Sequence, residues 1–94
     1  MAEETGQPID VNAVIPEFVQ ILADIAWQKL GLRPDPVVGT TQRDLDQARL
    51  CIDAVAALAG VIDAKLEPTD QREVRNLVTN LRMNFVQQQE MATQ

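Results

Sequence analysis

Apolar residues recur from Leu45 onward at steps of three and four: Leu45, Ala48, Ile52, Val55, Ala59, Ile62 and Leu66. That spacing places them on one stripe of an α-helix, the seam along which a helix packs against a partner. A second row, Leu50, Ala54, Ala57 and Val61, repeats the spacing beside the first. Together the rows predict a helix over about 41–63 with neighbours on two sides. Its polar strip holds Asp46, Arg49, Asp53 and Asp63, with Gly60 on the same side. Arg49 and Asp53 are spaced as a surface ion pair worth about 0.3–0.5 kcal/mol. Gly60 costs about 1 kcal/mol against Ala inside a helix, which points to a close helix crossing there.

An earlier helix is expected from about Pro16 to Leu30. Proline is tolerated in a first turn, whereas a helix running from Val11 would put its ring against the preceding turn. Asp10 and Asn12 suit a cap for a short earlier turn. Glu17, Gln20, Asp24 and Gln28 form a narrow polar strip, and Phe18, Val19, Ile21, Leu22, Ile25, Ala26 and Leu30 cover much of the remaining girth. A helix this apolar is covered on more than one side. One short chain has little left to cover it with, so Phe18, Leu22 and Ile25 are candidate contacts for a second chain. Trp27 reads as a half-buried packing residue.

Gly31 stands where a helix ends on a left-handed residue. The connector LRPDPVVGTT is stiffened by Pro34 and Pro36. Arg33 and Asp35 form its candidate exposed tip, either to meet a partner or only to aim the next helix. Thr40 or Thr41 is the expected cap of the second helix. After a short turn, Pro68 suits the first position of a third helix over 68–87, with Val74, Leu77, Val78, Leu81 and Phe85 on its apolar face. Arg72, Arg75 and Arg82 share a flank of that helix with Thr79. A short turn between long helices makes them antiparallel neighbours. The fold class is therefore all-α, a three-helix antiparallel hairpin or bundle completed by self-association. Residues 1–13 read as a disordered acidic lead-in, 14–87 as the helical domain and 88–94 as a frayed tail.

Composition narrows the function classes. Ninety-four residues suit one domain, and two Phe, one Trp and no Tyr leave an aliphatic core. Chains this short are often reinforced by disulfides, metal or self-association. The single Cys51 closes no internal bridge, and without His a usual zinc site lacks ligands. Cys51, set between Leu50 and Ile52, reads as an inert, largely buried thiol. The net charge is −6 and there is no basic cluster interleaved with aromatics, which disfavours direct nucleic-acid binding. The N-terminus lacks a signal-peptide pattern, and charges interrupt the longest apolar stretch, so neither export nor a membrane span is expected. The expected location is the cytoplasm.

An ordered set of residues resembles a known family. Leu30-Gly31, Pro34-Asp35-Pro36, Gly39, Leu45, Ala48, Ile52-Asp53, Leu66, Leu81-Arg82-Met83 and Phe85-Val86 look like the bacterial family catalogued as domain of unknown function 1844. The resemblance spans roughly residues 15–87 without a gap. Ala64-Lys65 and Glu67 depart from the family pattern, and both departures fall in the turn before the third helix. The resemblance implies a small helical fold and a bacterial origin. It supplies no catalytic residues.

Three function classes follow. A self-associating interaction or scaffold protein, a homodimer or larger assembly that also meets another protein partner, fits the excess apolar surface. A small-molecule or lipid-tail binding module using an apolar pocket between helices is the alternative. An enzyme has the least support: there is no histidine, no activated nucleophile and no phosphate loop, and no cofactor is expected.

Overall fold

The computed structural model describes residues 6–93, as three α-helices and one short turn of 3-10 helix, with no strand among the described residues. Helix α1 spans Val11–Lys29, α2 spans Leu45–Ile62 and α3 spans Pro68–Ala92. α1 and α2 form an antiparallel hairpin with the most extensive contact in the molecule; α3 packs mainly on α2 and touches α1 less. Val19, Ala23, Ala26 and Leu30 meet Ala48, Ile52 and Val55 in the core, and Leu81 enters it from α3. The seven-residue stripe on α2 is the packing seam, buried from Ala48 to Ile62 and half-buried at Leu45 and Leu66.

Helix α1 begins five residues before the expected Pro16. Asp10 supplies the missing start: its Oδ1 accepts from the Asn12 N–H at 3.0 Å, and its carbonyl accepts from Ala13 and Val14. Pro16 then sits inside the helix and removes one hydrogen bond, the one the Asn12 carbonyl would accept. Asn12 is exposed, so water can take that place, and the loss is smaller than in mid-helix. Of the expected lead-in, residues 1–5 lie outside the described residues, while Val11–Ala13 are helical.

The C-terminal end of α1 follows the expected pattern. Gly31 has φ +80°, its N–H donates to the Gln28 carbonyl, and Leu32 N–H donates to the Trp27 carbonyl. This is the Schellman arrangement that a left-handed residue makes possible. The start of α2 does not follow the expectation. Thr40 and Thr41 lie outside the helix, and Asp44 caps it, its Oδ1 accepting from Gln47 N–H at 3.1 Å. Thr40 is engaged elsewhere, its carbonyl accepting from Asp35 N–H.

Asp63 forms the joint between α2 and α3. It opens the 3-10 turn Asp63–Lys65, its carbonyl accepts from Gln71 Nε2 at 2.7 Å, and its carboxylate takes both a 3.1 Å and a 2.8 Å bond from Arg75. That fork holds the Arg75 guanidinium above its ordinary pKa, first through the hydrogen bonds and then through the opposite charge. The expected Arg49–Asp53 pair is not among the ion pairs of the described residues, which are Arg33–Asp24 and Arg75–Asp63. Helix α3 continues past residue 87 to Ala92 because Gln, Glu, Met and Ala are good helix formers and no Gly or Pro interrupts them. Gln88 also accepts from Arg43 at 3.1 Å, tying this last stretch to the connector.

Candidate functional site

The second row on α2 and the outer row on α1 form one surface. At roughly 100° per residue, Val14, Phe18, Ile21 and Ile25 lie about 110–170° to one side of the buried α1 stripe. Leu50, Ala54, Ala57 and Val61 lie about 120–180° from the buried α2 stripe, turned in the same sense. In an antiparallel pair whose stripes face each other, equal turns in one sense bring side chains to the same side of the plane through both axes. The clefts bordering α3 give an independent check, since they are lined by Ala13, Pro16 and Gln20 of α1 and by Arg49, Asp53 and Gly60 of α2. Those residues lie on the opposite side. Helix α3 therefore covers one side of the hairpin, and the two apolar rows occupy the other.

This face is uncovered. Phe18 and Ile21 keep 53% and 52% of their surface exposed, Leu50 74% and Val61 69%. Leu22, Cys51 and Leu58 lie half-buried at the foot of the face and join it to the core. The expected contact residues Phe18, Leu22 and Ile25 are together here. Ile21, Leu50 and Val61 are joined to them by the structure, although the sequence already carried the signal in the repeated four-three-four spacing. The second α2 row does not widen the buried face as expected: α2 meets α1 and α3 through its other side, and this row meets solvent.

The face carries little charge. Lys29 is the one charged residue among its described helix positions; Asp24 stands on the polar side of α1, and Glu17 and Asp46 lie at the outer edges of the face, one turn from Ile21 and Leu50. Burial raises the Cys51 thiol above its ordinary pKa, and nearby Lys29 acts weakly in the other direction. A thiol so placed stays protonated and unreactive at neutral pH.

Arg33 and Asp35 do not reach this face. Arg33 donates to Asp24 at 3.3 Å and lies over the Trp27 ring, 5.9 Å from its centroid. Asp35 Oδ1 accepts from Val37 N–H at 2.7 Å, and the Asp35 carbonyl accepts from Gly39 N–H. Both side chains hold the connector in shape. Gly60, expected at a close crossing, is exposed, and a Cβ added there would meet nothing within 4 Å.

Two other features bear on chemistry. An open cleft of about 560 Å³ lies between the starts of α1 and α3, with Val19, Leu66, Val74 and Leu77 at its base and Glu67, Asp70 and Glu73 around it. Among the described residues, no three metal-ligating side chains cluster, and no helix is long and apolar enough to cross a membrane.

The fold and this face together define a small all-α protein with one side of its central hairpin left open. The chain belongs to the family described as Domain of unknown function (DUF1844), whose sequence model matches residues 12–87. No curated protein and no solved structure gives a significant match.

Proposed function

We propose that this protein is a non-enzymatic helical interaction protein of the bacterial cytoplasm that works by self-association and presents a scaffold to a further protein partner. The observation that carries this reading is the apolar face of α1 and α2. Burying exposed aliphatic and aromatic surface is the main driving force for association. The chain's carboxylates are confined to the outer edges of the face.

A small-molecule or lipid-tail binding role is the second reading, favoured by the cleft between α1 and α3, whose volume falls within the range of ligand pockets. Its openness to solvent and its three carboxylates make it the weaker one, because apolar tails are held best in enclosed, uncharged pockets.

Light scattering on the purified protein, with native mass spectrometry of the same sample, separates the two. A homo-oligomer free of small molecules at tens of micromolar supports self-association. A monomer carrying a co-purified amphiphile overturns it in favour of the second reading.

A further inference from the structure

We infer that the occupant of the α1–α2 face is a second copy of this chain. The two hairpins stack face to face, the α1 row of each lying over the α2 row of the other, as a four-helix bundle with α3 on its two outer sides. This rests on the self-association reading and specifies its surface and partner.

Area is the first argument. The exposed parts of Phe18, Ile21, Leu50 and Val61, with the half-buried side chains between them, present apolar surface on the order of 600 Å². That reaches the upper end of what a monomer ordinarily exposes, and it approaches the roughly 800 Å² per partner of a standard interface.

Charge is the second. Two copies of a chain with net charge −6 repel each other unless the carboxylates are kept from the contact. Here the carboxylates nearest the face, Glu17 and Asp46, stand exposed at its outer edges, one helical turn from Ile21 and Leu50, and the Phe18, Ile25, Ala54 and Val61 positions between them carry none, so two copies meet without burying like charges.

Shape is the third. The α1 row is bulky throughout, with Val14, Phe18, Ile21 and Ile25, while the α2 row is small at its centre, Ala54 and Ala57, between Leu50 and Val61. The hydrogen bond from Asp44 N–H to the Lys29 carbonyl sets the level of the helices. Phe18, eleven residues before Lys29, stands level with Val55, eleven after Asp44, between the two alanines. A two-fold axis running along the hairpin keeps these levels. It therefore seats the bulky centre of one copy's α1 on the small centre of the other copy's α2. The contact is isologous and closes as a dimer, with the antiparallel neighbours of a four-helix bundle.

Charged substitutions test this pairing. Leu50 and Ile21 are both exposed, so Leu50→Glu and Ile21→Lys should keep wild-type helicity, checked by circular dichroism. Sedimentation equilibrium of the full chain should give a dimer for the wild type and for a control on the far side, Met83→Glu. Each face variant alone should associate at least 100-fold more weakly. Mixing the two should restore a heterodimer, because one contact then pairs Lys with Glu and the other keeps Ile on Leu. If the wild type dimerises and the face variants do so equally well, this pairing is wrong and self-association stands by another surface. Failure of the mixture to associate overturns the α1-over-α2 arrangement. A monomeric wild type overturns both this inference and the reading it rests on.

Discussion

The backbone N–H of Asp44 donates to the carbonyl of Lys29 at 2.8 Å, joining the first residue before α2 to the last residue of α1. The connector between them leaves α1 through Gly31, is turned by Asp35 and returns to this bond. The hairpin register is set at that point, and with it the alignment of the two outer rows.

Asp44 also caps α2, so its side chain and its backbone act at the same joint. Replacing a capping Asp with Ala costs about 1 kcal/mol, and Asp44→Ala should lower the melting temperature by about 4–8 °C in a domain of this size. Asp44→Asn keeps the acceptor and should lose much less. Thermal melts of both variants check this.

The glycines should respond in opposite directions. Gly31 has φ +80°, and a Cβ there would lie 3.1 Å from the Cβ of Arg43, so Gly31→Ala should destabilise by about 1–2 kcal/mol. Gly60 is helical, exposed and unobstructed, so Gly60→Ala should stabilise by about 0.5–1 kcal/mol. Urea titrations read both changes, and equal losses at the two positions would contradict the packing described at Gly60.

Adjacent residues on α2 test its rotational setting. Ile52 is 3% exposed and in the core, while Asp53 is exposed. Ile52→Ala should cost about 2–5 kcal/mol through lost burial and the cavity left behind. Asp53→Ala should change stability by less than about 0.5 kcal/mol. Chemical denaturation of the pair should show this contrast.

The Cys51 thiol should titrate late. Burial raises its folded pKa, so the unfolded chain ionises first as pH rises and then holds fewer protons than the folded one. Stability therefore falls as pH climbs through the ordinary thiol range. Cys51→Ala should flatten that fall relative to the wild type. Iodoacetamide should alkylate native Cys51 with a pH midpoint above that of the urea-unfolded chain.

Most of the helical skeleton was legible in the sequence because periodicity and turn chemistry act locally. The burial of Ile52 beside exposed Asp53 follows from spacing alone, as does the α1 stop at Gly31. The cap of α2 was less legible. Thr40, Thr41 and Asp44 are all competent caps, and the choice of Asp44 depends on its bond to Lys29, a contact across the connector. The start of α1 was less legible still: Pro16 argues for a beginning, while the Asp10 cap outweighs one lost hydrogen bond. Gly60 and the Leu50–Val61 row share another cause. Spacing shows which residues lie along one line of a helix, but whether that line meets a neighbour or water depends on where α3 packs. Phe18, Leu22 and Ile25 could be singled out from the girth of α1. Their alignment with Leu50 and Val61 required the hairpin.

The most direct test of the central claim is an isotope-filtered nuclear Overhauser spectrum on a mixed sample, half of it carbon-13 labelled, which reports only contacts between copies. The face-to-face dimer predicts cross-peaks linking Phe18, Ile21 and Ile25 of one copy to Leu50, Ala54, Ala57 and Val61 of the other. Contacts between copies arising from Met83, Val86 or Met91 of α3, or no such contacts at concentrations where sedimentation gives a dimer, would contradict it.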